Sequence, residues 1–481
     1  MSQAAATDGV SRLRKVVLNA IWLALGGLVA QGCFVAIDAL IARELGPQQY
    51  GIFGTVYSLS LGLVYLVEAG ANSRLIEVGS KRAEEIPWLM GTAMGLRLIL
   101  FILWYPVLVF ALGAFGYSTD VVQFFALFFF YPLLLMMHDT LAASYAARQR
   151  MHVNALFQSA SPVAILLLVL LVPLDQWQLA GAGAAYLCGV FLVTAVWFTL
   201  VWREHRPELR LRSMPGLLKG SAVYGVAGLL DQLGQRIDIL IVSMLRPMSE
   251  VGLYVAAHRI FEVCMKAGVV ASRAVIPMLF KVNAEDMRLF ARLCDVALRL
   301  FAIAGASLGL FIALAAEPLI GMIFGARYAA AALVLQVLGI ALALRFIGLG
   351  LEAVLMASSH KVKRAASLGA SVTMNATLSL LLVPQVGIAG AAVARFCGGI
   401  AHLAFSLGGA NVPLPLRRVV LLIGWPMICA AGSFVFVGTL GLPAIPRIAL
   451  GVVLLPLLLL ATRYVRVSEV RQVIRPGAQA E

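Results

Sequence analysis

Three cations stand at seven-residue intervals in an otherwise apolar stretch: Arg259, Lys266 and Arg273. Seven residues are close to two helical turns, so a helix here carries all three on one face. At 1.5 Å per residue the row extends for about 20 Å. Just upstream, Asp231 and Asp238 are also seven apart. Counted from the turn between the two stretches, Asp238 falls near the depth of Arg259, and Asp231 near that of Lys266. Two kinds of chemistry fit. The opposite charges can pair and lock two helices together. Alternatively they line a wet, positively charged cavity that receives an anion, for which guanidinium forks suit phosphate. Arg273 has no acidic match upstream, and Arg299, Arg345 and Arg395 add positive charge in later apolar stretches. These six cations are the candidate substrate-path residues. Asp38, Glu68, Asp231, Asp238 and Glu262 are the candidates for ion coupling or ion pairing, with a plain hydrogen-bonded helix-end carboxylate as the other reading of Asp38. His138 and Asp139 are adjacent, so on a helix their side chains point apart.

The elements that hold these charges are set by composition. Of 481 residues, 62% are hydrophobic and 12% charged, and the mean hydropathy is +0.95. That balance predicts a membrane protein. An ionisable group at membrane depth is costly, so it is expected to face a partner or a cavity. The six cysteines fall inside apolar stretches with no close-spaced ligand pair, so no disulfide frame, metal site or cofactor is expected. The first apolar stretch follows Arg12, Arg14 and Lys15, and it is too long for the core of a cleaved signal.

Fourteen spans are expected, near 16–42, 50–73, 87–113, 121–147, 153–172, 178–202, 217–245, 251–280, 289–316, 329–357, 365–383, 386–408, 418–440 and 446–464. With the N-terminus in the cytoplasm, 25 of the 37 Lys and Arg fall in cytoplasmic segments and four on the opposite side, with eight inside spans. The alternation of that bias from loop to loop places both termini inside. The net charge of +14 is therefore a topology signal, and no nucleic-acid partner is expected.

Two repeats organise the chain. Ile37–Pro47 recurs as Ile237–Pro247 with six of eleven positions identical, and Gly51-Ile52-Phe53 matches Gly252-Leu253-Tyr254 after a one-residue slip. Ala180–Gly189 recurs as Ala389–Gly398 with six of ten positions identical, at an offset of 209. Two repeats in the same order point to duplication of a six-span unit. An even number of spans per unit makes the halves parallel. The expected organisation is a cytoplasmic N-terminus (1–15), a first lobe of six helices (16–202), a cytoplasmic linker (203–216), a second lobe of six (217–408), two further helices (409–464) and a cytoplasmic tail (465–481). The fold class is an all-α polytopic membrane protein.

No phosphate loop, H-E-x-x-H or paired C-x-x-C occurs, and no soluble segment is long enough for a catalytic domain, so no enzyme is expected. Ala42-Arg43-Glu44-Leu45-Gly46-Pro47-Gln48-Gln49-Tyr50-Gly51-Ile52-Phe53 resembles the A-R-x-L-G-P-x-x-Y-G-x-F signature of bacterial polysaccharide-biosynthesis flippases. Glu68–Ile76 resembles their D-x-G-x-x-x-x-L-I segment, with Glu68 in place of the usual Asp. Val386–Ala392 resembles their G-I-x-G-A-A helix start. These proteins belong to the MOP superfamily, with MATE drug exporters and the peptidoglycan-precursor flippase. The resemblance implies two six-helix lobes facing each other across a central cavity. It implies translocation of an undecaprenyl-pyrophosphate-linked oligosaccharide across the bacterial inner membrane, with membrane lipids and the polysaccharide synthesis machinery as partners. The motif residues themselves look structural: Gly46-Pro47 makes a turn and Gly51 permits close packing. A MATE-like antiporter of organic cations is the runner-up, and a non-transporting membrane scaffold the third. The basic lean of the second half favours the flippase.

Overall fold

Backbone N–H and C=O groups inside a bilayer have no water to bond, so an apolar chain satisfies them within each segment as helix. The computed structural model has that form, with sixteen α-helices and no strand among the described residues. It describes residues 2–204, 206–283, 287–357, 361–408, 415–462 and 464, without the side chains of 2–21, 23, 24, 151, 273, 274, 277, 278, 280–283, 357 and 361–365. The helices are α1 (Ser2–Gly62), α2 (Tyr65–Glu68), α3 (Ala71–Gly79), α4 (Ile86–Ala114), α5 (Thr119–Phe128), α6 (Phe130–Ala147), α7 (Met151–Leu171) and α8 (Leu174–Glu204). They continue with α9 (Met214–Leu245), α10 (Met248–Asn283), α11 (Met287–Ile323), α12 (Ala331–Ala357), α13 (Lys361–Val386), α14 (Ile388–Leu407), α15 (Leu416–Thr439) and α16 (Ala444–Ala461). The expected tail at 465–481 lies outside the described residues.

Eleven helical segments are long and apolar enough to cross a membrane, against fourteen expected spans. The difference has two physical sources. Leu25–Glu68, of 44 residues, covers most of the first two expected spans. It would be about 66 Å long if straight, twice a bilayer core of about 30 Å. The expected seventh and eighth spans are α9 and α10, of 32 and 36 residues. They have the length but not the apolarity: Asp231, Arg236 and Asp238 interrupt one, and Arg259, Glu262, Lys266 and Arg273 the other. Two boundaries also move. The expected second span ends at Glu68 rather than 73, because Ala69 (φ 53°) and Gly70 (φ 77°) are both left-handed. The expected fourth span divides into α5 and α6 at Phe129.

The repeats mark backbone breaks. Inside α1 the helix is interrupted at Gly46 (φ 74°, ψ 173°), which precedes Pro47. At the matching place in the second copy, α9 ends and Arg246 is extended (ψ 155°) before Pro247. A residue before proline is driven out of the helical region by the pyrrolidine ring, so one sequence feature causes both breaks. The other repeat behaves alike. Gln178 (φ 45°, ψ −129°) breaks α8, and Gly387 (φ 70°, ψ −152°) precedes α14. These two residues are 209 positions apart, the offset of the repeat.

By contacts the chain forms two compact units, Met1–Gly252 and Leu253–Glu481. In the first, Phe53 and Tyr57 of α1 meet Phe124, Phe128 and Tyr131 of α5 and α6 and Tyr186 of α8, with ring centroids in the cluster 5.1–6.3 Å apart. Each such pair adds about 0.5–1.5 kcal/mol beyond area burial. Beside it α1 crosses the start of α10 at backbone distance. A Cβ on Gly51 would overlap the Met248 carbonyl, and one on Gly252 the Pro47 carbonyl. The structural reading of Gly51 thus has a specific partner. In the second unit, Phe290, Leu298, Ile347, Leu351, Val354 and Leu403 form one core, joined by Val419 and Ile423 of α15. A second core holds α16 through Leu455 and Leu459 against Leu310, Leu314 and Val437.

Candidate functional site

The row on α10 meets other polar elements of the second unit. Arg259 donates to Glu262 one turn later at 2.9 Å, with both side chains mostly buried. Arg395 of α14 stands over the Phe261 ring, 5.2 Å from its centroid. A cation from a second helix therefore sits on the Arg259–Glu262 turn. Lys266 is exposed. The Arg273 side chain lies outside the described residues.

A neighbouring network joins α12 and α14. Arg345 donates to Glu352, and His402 Nε2 is 3.1 Å from the same carboxylate oxygen. Arg345 and Glu352 are seven apart, and so are Arg395 and His402. Each pair shares one helix face, so Arg395 and His402 of α14 reach α10 and α12 respectively. His402 was not among the sequence candidates, although the spacing from Arg395 is the same signal that singled out the α10 row. Arg299 goes elsewhere. It donates to Asp295 at 3.2 Å and lies over the Tyr464 ring at 5.7 Å. Asp295 also accepts from Arg418 of α15 at 2.6 Å. Arg299 thus holds the segment after α16 against α11, and Asp295 holds α15 through Arg418, while Arg259, Arg345 and Arg395 share the α10–α12–α14 set.

The acidic candidates of the first unit are held closely. Asp38 is 1% exposed and accepts from the Tyr50 hydroxyl at 3.1 Å across the Gly46-Pro47 break. Asp231 accepts from Gln235 at 2.9 Å. Asp238 is fully buried, and Arg236, two residues earlier, stands 5.5 Å over the Tyr57 ring. Glu68 is the most constrained. The left-handed pair Ala69-Gly70 turns the chain back, and the carboxylate accepts from the backbone N–H groups of Gly70 at 2.6 Å and Asn72 at 2.8 Å. Arg97 of α4, wholly buried, pairs with it at 3.3 Å. The guanidinium also donates to Asn72 Oδ1 at 2.8 Å, to the Met136 carbonyl at 2.7 Å and to Thr140. His138 turns to α7, within 3.0 Å of the Phe157 carbonyl, while Asp139 lies in the field of Arg97 and Glu68. The two adjacent groups do point apart.

Eleven apolar helical segments long enough to cross a membrane, with ion pairs buried among them, mark a multi-pass membrane protein. The chain belongs to the polysaccharide biosynthesis protein family, whose model matches residues 16–283. No curated protein matches. Among solved structures, the fold is similar to that of the lipid II flippase MurJ in an inward closed conformation, with 15% identity and a TM-score of 0.74 over 93% of this chain and 99% of that one. It is also similar to an inward-facing multidrug resistance MATE family transporter of the MOP superfamily, with 15% identity and a TM-score of 0.67 over 82% of this chain and 95% of the other. A third match is a MOP superfamily transporter from Pyrococcus furiosus, described as having a binding pocket of reverse polarity, with 15% identity and a TM-score of 0.59 over 84% and 96%.

Proposed function

We propose that this protein is a flippase, not an enzyme. It moves an undecaprenyl-pyrophosphate-linked oligosaccharide from the inner to the outer leaflet of a bacterial inner membrane by alternating access between two parallel six-helix lobes. Membership of the polysaccharide biosynthesis family is the observation that carries this reading. The fourteen-span topology, with both termini cytoplasmic and two helices beyond the lobes, is part of it, as is association with the polysaccharide synthesis machinery. Moving a pyrophosphate through an apolar layer exposes it to a large desolvation cost. Arg259, Lys266, Arg273, Arg345 and Arg395 offset that cost as a sheltered cationic path. Glu262, Glu352 and His402 hold the guanidiniums in register between substrates. Arg299 is left out of the path because its partners are Asp295 on its own helix and Tyr464 after α16. Among the acidic candidates, Asp38 and Glu68 serve as hydrogen-bonded structural groups.

The test is reconstitution with a labelled lipid-linked oligosaccharide, comparing wild type with Arg259→Ala, Lys266→Ala and Arg395→Ala. Each variant is expected to lose at least tenfold in translocation rate while eluting as a folded monodisperse protein. Normal translocation in all three variants would remove the cationic path. A wild type that exports organic cations and leaves the lipid-linked sugar in place would make the protein a MATE-like antiporter.

A further inference from the structure

A cavity of about 500 Å3 opens at one end of the first unit, where α3, the turn into α4 and the start of α9 meet. Its rim carries Arg74, Lys81 and Arg82, and Trp88 stands in its wall. This end lies at the edge of the apolar layer, because α4 carries no charge from Ile86 to Leu96, whereas Lys81, Arg82, Glu84 and Glu85 crowd the stretch just before it. Tryptophan at such an edge marks the depth of lipid headgroups.

Two carboxylates also line the cavity, and each is already taken. Glu77 binds Arg74 at 2.7 Å and accepts from Tyr224 of α9 at 3.3 Å. The Arg74 guanidinium holds the Glu77 carboxyl below its ordinary range, so it is fully ionised at neutral pH. Glu85 binds Arg82 at 2.9 Å. The carboxylates fix the two guanidiniums in place, and Lys81 is the surplus charge of the rim. The opposite wall is equally fixed. The segment before α9 is strapped to α4 by Glu208 N–H donating to the Pro87 carbonyl at 3.0 Å and Arg210 N–H donating to Thr92 Oγ1 at 3.2 Å. Arg210 then lies over the Trp88 ring, 5.6 Å from its centroid. An apolar floor at Leu89 and Leu217 completes a site that is cationic at its mouth and greasy beneath.

We propose that this cavity binds the phosphate of an anionic lipid headgroup, with Lys81 and Arg74 on the phosphate oxygens and Trp88 against the glycerol end of the chains. Positioned guanidinium and ammonium groups at headgroup depth favour a net negative phosphate over a zwitterionic one. The site shares no residue with the α10–α14 path and does not depend on which substrate the protein carries.

Native mass spectrometry of the purified full chain, titrated after delipidation, tests this. Phosphatidylglycerol is expected to bind more tightly than phosphatidylcholine. Lys81→Gln should weaken it about fivefold and Lys81→Glu further, while Lys219→Gln, a cation on α9 that does not line the cavity, should leave it unchanged. If a polyprenyl pyrophosphate shows the same dependence on Lys81 and phosphatidylglycerol does not, the headgroup is that of a lipid-linked carrier. Full competition by inorganic pyrophosphate at equal affinity would overturn the headgroup assignment. Equal binding of the two phospholipids, or unchanged binding in both Lys81 variants, would overturn the site. The readout is lipid binding, so a failed flippase assay leaves this result standing.

Discussion

Arg97 shows what a single buried charge demands of its surroundings. It has no exposed surface, and it is matched by one carboxylate, one amide oxygen, one carbonyl and one hydroxyl. Removing one member of a buried ion pair leaves the other uncompensated, at a cost of about 3–5 kcal/mol. Arg97→Met is therefore expected to lose that much stability, and the double variant Glu68→Gln/Arg97→Met clearly less. Chemical denaturation in mild detergent measures both. A double variant as unstable as Arg97→Met alone would mean that the guanidinium packs rather than pairs. Both residues were legible in the sequence as charges at membrane depth. Their pairing was not, because it depends on the left-handed turn at Ala69-Gly70, and an alanine gives no warning of such a turn. His402 was missed for a related reason: a histidine in an apolar helix gains meaning only once Arg345 and Glu352 are seen to share a face.

At the scale of elements, the repeats proved to be repeats of breaks as much as of helices. Pro47 and Pro247 make one break legible in each copy. The other is half hidden. Gly387 advertises a positive φ, but its counterpart Gln178 does not, and it holds a conformation that side chains rarely adopt. Its amide is anchored by Gln49, which donates to it at 2.7 Å. A non-glycine residue in such a region costs about 1–3 kcal/mol. Gln178→Gly loses the Gln49 contact but relieves the backbone, whereas Gln178→Ala loses the contact and keeps the strain. The glycine variant is thus expected to be the more stable of the two by about 1–3 kcal/mol, read as the difference in unfolding midpoint followed by tryptophan fluorescence. The reverse order would show that the break is not strained and that the contact with Gln49 governs it.

For the molecule as a whole, hydropathy and charge bias made the helical class and most of the spans readable, but they divide over α9 and α10. These two helices carry the most charge at depth and are absent from the eleven apolar segments. Their topology follows from burial rather than composition. Asp238 is wholly buried, Arg236 nearly so, and Arg259 is neutralised by Glu262 within one turn, so much of their charge is shielded from lipid. At 32 and 36 residues each is about 48–54 Å long, ample for a core of about 30 Å. Both are therefore expected to cross, which puts the turn between them outside. Labelling of single cysteines in intact cells with a membrane-impermeant maleimide, in a background with the six native cysteines replaced, decides this. Ser118→Cys and Leu440→Cys are expected to react from outside, and Ser80→Cys only after permeabilisation. Those three positions keep their sides whether or not α9 and α10 cross, because the two helices enter or leave the count as a pair. Ser249→Cys separates the cases. Labelling from outside establishes both crossings and the fourteen-span count, whereas labelling only after permeabilisation would put the α9–α10 turn in the cytoplasm and leave the charged row of α10 with no membrane to serve.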